Sequence, residues 1–199
     1  MKHPSPQTGF VHERAGGSVE WYTPPRIFAA LGLPFDLDPC SPGGRVVPWI
    51  PAATHFTRAD DGLRQPWHGR VWLNPPYGRD MERWLDRFAA HRRGIALVFA
   101  RTDTAWFHRY ATRADVLCFT RGRIAFVSPT AENRAAGAGC GSVFLAYGRE
   151  CVQALRQSGL GFVVDLRRLR EGRRPALRTS GRTARAPARI AEQETRNRS

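Results

Sequence analysis
The sequence predicts an α/β domain: a compact, mainly parallel sheet flanked by helices, with an antiparallel hairpin at its C-terminal end. Three observations predict it. Apolar strand-like runs alternate with segments of helical periodicity, no internal repeat interrupts that alternation, and 42% hydrophobic residues with 11% aromatics in 199 residues supply one sizeable core rather than two.

In chain order, Thr23 is placed to cap a helix that opens at Pro24, buries Ile27, Phe28 and Leu31 on one face and stops at Gly32. Residues 35–38 form a short strand. A buried strand over 69–73 ends at Asn74-Pro75-Pro76-Tyr77, because neither proline has an N–H to give to a ladder. Met81, Trp84, Leu85 and Phe88 recur at helical spacing, so 80–91 is an amphipathic helix that covers the sheet. The apolar run 95–100 is a strand and 106–111 a short helix. Residues 116–119, 122–127 and 142–147 are further strands, and these last ones pair antiparallel.

Charge bounds the partners. The chain has 31 basic and 17 acidic residues, net +14, and Lys2 is the only lysine, which points to a polyanion before an acidic protein or a neutral small molecule. Half of the excess lies in 165–199, where eleven arginines face four acids among Pro, Thr, Ala and Gly. Such a composition does not offset its ordering entropy by burial. The expected organisation is a flexible N-terminus over 1–17, a catalytic domain over 18–164 and a basic, disordered tail over 165–199. That tail is either a phosphate-binding arm or a solvated terminus. No apolar run reaches the roughly twenty residues of a membrane span, and the first ten residues are polar, so a cytoplasmic protein with no membrane partner is expected. Cys40, Cys118, Cys140 and Cys151 are too irregularly spaced for a zinc or redox motif, and the six histidines form none, so no metal is expected.

Asn74-Pro75-Pro76-Tyr77-Gly78, at the exit of a buried strand, carries the chemistry. An adenine amino group is a poor nucleophile because its lone pair is delocalised into the ring. An enzyme that methylates it must hold both N–H donors on acceptors that favour a pyramidal nitrogen. Asn74 offers a side-chain carbonyl, and Pro75 a backbone carbonyl whose direction is restricted by Pro76. Fixed dipoles then stabilise the charge that builds on nitrogen. Tyr77 offers an aromatic face to a base extruded from its duplex. A plain turn closing a strand needs only the prolines, not asparagine first and tyrosine last. A donor site belongs outside the strand carboxyl ends. There Asp38, followed by Pro39, Cys40 and the small residues up to Gly44, is suited to the ammonium of a methionine moiety, and Asp61 before Gly62 to an adenine amine of the donor.

These residues resemble the phage-type (Dam-like) DNA N6-adenine methyltransferase family of S-adenosylmethionine-dependent enzymes. The likeness runs from Glu20-Trp21-Tyr22-Thr23-Pro24 through Phe35-Asp36-Leu37-Asp38-Pro39, Asp61-Gly62-Leu63 and Val71-Trp72-Leu73-Asn74-Pro75-Pro76-Tyr77-Gly78. It continues to Gly122-Arg123-Ile124-Ala125-Phe126 and Gly141-Ser142-Val143-Phe144-Leu145. The resemblance implies a Rossmann-like class I methyltransferase fold, S-adenosyl-L-methionine as cofactor, double-stranded DNA as partner and a bacterial or phage-infected cell as setting. It implies that Asn74, Pro75, Pro76 and Tyr77 are catalytic, and that Trp21, Tyr22, Thr23, Asp38, Pro39, Cys40, Asp61 and Asn74 line the donor. The Phe-x-Gly-x-Gly donor loop of larger relatives is absent. No separate recognition domain is visible, so the loops around Gly78 to Arg83 and 128–141 are expected to read the sequence, with Tyr77, Arg79, Arg83, Arg121 and Arg123 toward DNA. The alternatives are the same chemistry on RNA adenine or protein glutamine, and a DNA-binding module without turnover.

Overall fold
The computed structural model describes residues 21–78, 80–127 and 140–171. Among them seven strands form one sheet: β1 (Phe35–Asp38), β2 (Ala52–His55), β3 (Val71–Leu73), β4 (Gly94–Phe99), β5 (Val116–Thr120), β6 (Ser142–Tyr147) and β7 (Gly161–Asp165). Their order is β2-β1-β3-β4-β6-β5-β7. β1 to β4 run parallel; β6 lies antiparallel between β4 and β5, so β5 points the same way as β4, and β7 is antiparallel to β5. The helices are α1 (Pro25–Leu31), α2 (Met81–His91), α3 (Ala105–Tyr110), α4 (Arg149–Gln157) and α5 (Leu166–Glu171).

Strand periodicity builds two cores, one on each face. Ile95, Leu97 and Phe99 of β4 with Phe144 and Ala146 of β6 face α1 and α4, where Ile27, Phe28, Leu31, Val152 and Leu155 close the first core around Trp72. Ala96 and Val98 of β4 with Val143, Leu145 and Tyr147 of β6 face α2 and α3, whose Met81, Trp84, Leu85, Phe88, Phe107 and Tyr110 close the second. β4 and β6 are buried along their whole length, which is why they read as continuous apolar runs.

The mixed α/β architecture with a mainly parallel first half is as expected, and three details differ. First, α1 opens at Pro25, with Pro24 as its cap residue in extended conformation (ψ 151°), not at Thr23 and Pro24. Of two adjacent prolines the second takes the first helical position, and it forces the residue before it out of the helical region. Second, 122–127 is not a strand. Both sides of β5 are taken by β6 and β7, so the segment that follows β5 has no place beside it. The segment instead crosses the sheet end, buries Ile124 and Phe126, and bridges Tyr22 through Val127. The antiparallel C-terminal pairing is present in other strands than those expected: consecutive β5 and β6 pair antiparallel, and β7, which follows α4, pairs antiparallel with β5. Third, α5 lies within the stretch assigned to the tail, docked where Leu166 N donates to Asp115 O at 3.0 Å. The N-terminus over 1–17, the 128–139 part of the expected reading loop and the tail over 172–199 lie outside the described residues.

Candidate active site
Because β1 to β5 share one direction, their carboxyl ends open loops on one edge of the sheet: 39–44, 56–64, 74–78, 100–104 and 121–127. The segment Trp21, Tyr22, Thr23 crosses that edge. It is tied down at three points: Asn74 Nδ2 donates to Trp21 O at 3.0 Å, Trp49 Nε1 to Thr23 O at 2.9 Å, and Tyr22 and Val127 exchange backbone hydrogen bonds at 2.9 Å.

The Trp21 contact fixes how the Asn74 amide is turned. A carbonyl accepts only, so the –NH₂ end must face Trp21 and the oxygen must face away. Asn74 Oδ1 is buried and has no hydrogen-bond partner among the described residues, and neither do Thr23 Oγ1 and Ser142 Oγ at the same sheet edge. Buried acceptors are normally satisfied, so an orphan at the exit of β3 marks a place where a donor group belongs. Pro75 is buried and Pro76 exposed. The half-buried Tyr77 lies flat on Phe99, with ring centroids 3.8 Å apart and planes 12° from parallel. Its hydroxyl is buried, and burial pushes its ionisation well above the usual phenol range.

On the adjacent strand, Asp38 is 2% exposed. Its Oδ1 accepts the Cys40 N–H at 3.2 Å, its Oδ2 stands 3.9 Å from His55 Nδ1, and burial raises its carboxyl to about 7. Pro39 is buried against the next loop so closely that a Cβ on Gly62 would lie 1.9 Å from the Pro39 carbonyl oxygen. The 38–44 and 57–62 loops thus meet, with half-buried Cys40 beside the junction. Asp61 carries a left-handed φ of 51° and an exposed carboxylate 3.2 Å from Arg64 Nε. Its neighbour Asp60 is committed to the loop itself, accepting from Thr57 N and Oγ1, both at 2.7 Å.

Arg121 and Arg123 are exposed in the turn after β5, on the same edge as Asn74. Arg83 is exposed on α2 and paired with Asp80 at 3.1 Å. Arg79 lies outside the described residues. Thr104 stands at the α3 cap position, but its hydroxyl turns back to Arg101 O at 2.7 Å. Sequence reasoning misses three contributors. Phe99 reads only as the end of an apolar run, Ser142 as the start of another, and His55 sits in a segment without strand periodicity. A concavity of about 400 Å³ beside α1, lined by Pro25, Phe28, Ala29, Leu33, Trp49 and Pro51, includes none of the edge residues.

A mixed α/β protein whose functional groups gather at the strand carboxyl ends, with a buried amide oxygen awaiting a donor, is the class that fold and site define. The chain belongs to the DNA N-6-adenine-methyltransferase (Dam) family, whose model matches residues 15–159 and so spans every edge residue described above. Membership implies a methyltransferase that acts on DNA at adenine N6. No curated protein and no solved structure matches the chain. Among the described residues no group of histidine, cysteine and carboxylate side chains is arranged to hold a metal ion, and no helix is long and apolar enough to cross a membrane.

Proposed function
We propose that the protein transfers a methyl group from S-adenosyl-L-methionine to the N6 amine of adenine in double-stranded DNA, on a Rossmann-like class I methyltransferase fold. The observation that carries this reading is the Asn74 carbonyl: buried, unpartnered, and turned by the Trp21 contact toward a place where an amine N–H can be received. The Pro75 carbonyl takes the second N–H. Both acceptors gain strength as the nitrogen becomes tetrahedral and cationic, which lowers the barrier without a general base or metal. Tyr77, held by its stack on Phe99, is the aromatic group for an extruded adenine.

The residues present suit a cationic donor. Asp38 receives an ammonium with its buried carboxylate, Thr23 Oγ1 has unused hydrogen-bonding capacity at the same edge, and Pro39, Cys40 and Asp61 border the loop junction. When bound, the donor supplies an electrophilic methyl on a sulfonium: the N–C bond forms as the C–S pair leaves with sulfur, and the nitrogen gives one proton to solvent. Positioning at this edge is the protein's contribution to rate. Arg121, Arg123, Arg79 and Arg83 meet phosphates. Incubating the protein with labelled donor and separate DNA, RNA and protein acceptors tests the proposal. Label in DNA adenine N6 supports it; label only in RNA or in protein glutamine, or DNA affinity without any label, overturns it.

A further inference from the structure
Trp84, Arg87 and His91 recur three and four residues apart on α2, which puts them on one stripe of the helix. That stripe grips the chain between β2 and β3, which contains no strand or helix of its own. Arg87 Nη1 donates to Leu63 O and its Nη2 to Gln65 O. The same guanidinium lies over the Trp67 ring, 5.2 Å from its centroid, and Trp67 is stacked on Trp84 with planes 26° apart. Trp67 Nε1 donates to Gly62 O at 2.8 Å, and His91 Nε2 to Gly69 O at 2.8 Å.

These bonds converge on the turn that carries Asp61. The carbonyls of Asp60, Asp61, Gly62, Leu63 and Gln65 are all taken: by Gln65 Nε2 at 2.6 Å, by Arg64 N at 2.8 Å, by Trp67, and the last two by Arg87. Backbone carbonyls outside a helix or a sheet ladder need such donors, and α2 delivers two of them from one planar, rigid fork. Sterics fix the other side of the turn: a Cβ on Gly62 would meet Pro39 O at 1.9 Å and Trp84 Cη2 at 3.3 Å. Asp61 stands at the tip with its left-handed φ of 51°, a conformation that a non-glycine residue keeps only where its surroundings impose it. Among the described residues its carboxylate pairs with Arg64, and both groups are exposed, so the pair is weak in water and yields to a ligand. The backbone is fixed while the carboxylate stays open.

We propose that Arg87 is a positioning residue of the donor site: by bridging Leu63 O and Gln65 O it fixes the 60–65 turn so that the Asp61 carboxylate stands ready for the exocyclic amine at the adenine end of a sulfonium methyl donor. This rests on the proposed donor site, with Asp61 at its adenine end. Arg87 does not touch the donor in this arrangement, because its guanidinium is taken up by two loop carbonyls and the Trp67 ring. The gain is preorganisation: a turn that is ordered beforehand loses no further chain entropy when the donor binds.

The test measures calorimetric binding of S-adenosylmethionine alone, without DNA, in a cycle of Arg87 and Asp61 variants. Asp61→Gly suits the left-handed φ and removes the carboxylate. R87A and Asp61→Gly are each expected to weaken binding about tenfold, and the double variant no more than either alone, because the turn acts on the donor through that one carboxylate. A second probe removes the amine instead: wild type is expected to bind S-adenosylhomocysteine about tenfold more tightly than its counterpart with purine in place of adenine, and R87A to bind the two within about threefold of each other. In R87A, kcat at saturating donor and DNA is expected to stay within about twofold of wild type, with the loss carried by KM for the donor. Trp67→Phe keeps an aromatic ring against Trp84 and Arg87 but has no N–H for Gly62 O; it is expected to lose about threefold in the same cycle, and it carries the test if R87A misfolds. Wild-type affinity in both R87A and W67F, losses that multiply with Asp61→Gly, or a fall in kcat with KM unchanged overturns the proposal. Asp61→Gly protein that binds donor as wild type does removes Asp61 from the donor site and overturns it as well. Wild-type protein that binds no S-adenosylmethionine instead overturns the donor assignment itself.

Discussion

Replacing Asn74 by alanine removes two interactions of different kinds. The Nδ2 bond to Trp21 O, 3.0 Å long and part-buried, is an ordinary neutral hydrogen bond, and its loss costs about 0.5–1.5 kcal/mol of stability. The Oδ1 acceptor has no partner among the described residues, so its loss costs the resting protein little. It engages as charge develops on the attacking nitrogen, and one such preorganised group is worth about 10²–10³ in kcat, or about 2.7–4 kcal/mol of barrier. Asn74→Ala is therefore expected to melt only slightly below wild type, to bind donor within about threefold of it, and to transfer methyl groups about 10²–10³ more slowly at saturating donor and DNA. Calorimetry, donor titration and labelled transfer into duplex DNA read the three quantities separately. A folded variant whose kcat stays within about threefold of wild type would refute the acceptor argument, and so would one whose loss lies wholly in donor affinity.

Three further outcomes follow from the same edge. Tyr77→Phe keeps the stack on Phe99 and is expected to retain most of the transfer rate, whereas Tyr77→Ala removes the aromatic wall and loses about 10–100-fold, measured as kcat/KM on duplex DNA. Asp38, with a carboxyl raised from 3.8 to about 7, holds its proton better folded than unfolded, so its contribution to stability is greatest in acid and is lost as pH rises from about 4 to about 7, on the order of 4 kcal/mol in all. Ligand-free Asp38→Asn, which keeps an acceptor for Cys40 N–H, is then expected to melt above wild type at about pH 8 while binding no donor; an equal melting difference at about pH 4 and pH 8 contradicts the burial argument. Gly62→Ala forces a Cβ into the Pro39 carbonyl and is expected to cost about 1–3 kcal/mol and to weaken donor binding, read by melting and titration.

What the sequence made legible followed burial. β4 and β6, buried along their whole length, and α2, with one buried face, announce themselves as an apolar run and a helical stripe. β2 and β7 are the two outer strands of the sheet, half-exposed, and carry too few apolar residues over Ala-Ala-Thr-His and Gly-Phe-Val-Val-Asp to show a period. α4 and α5 are rich in arginine and short, which masks the apolar positions that anchor them. The error at 122–127 has a different origin: its apolar residues are buried as a strand's would be, and only the strand order shows that both sides of β5 are already filled. At the candidate site, Asn74-Pro75-Pro76-Tyr77 and Asp38 were readable because each residue type answers a chemical demand. Phe99, Ser142 and His55 were not, because their proximity to those groups arises from strand order, which leaves no mark in local sequence.

The central claim is that Asn74 and the carbonyl after it receive the hydrogens of an amine beside the methyl carbon of the donor. A crystal structure with a non-reactive donor analogue and an adenine-containing duplex measures it directly. The expected result is an extruded adenine whose N6 lies within hydrogen-bonding distance of Asn74 Oδ1 and roughly 3–3.5 Å from the position of the methyl group. An analogue bound away from Asp38 and Asn74, or an adenine whose amine faces other acceptors, would contradict it.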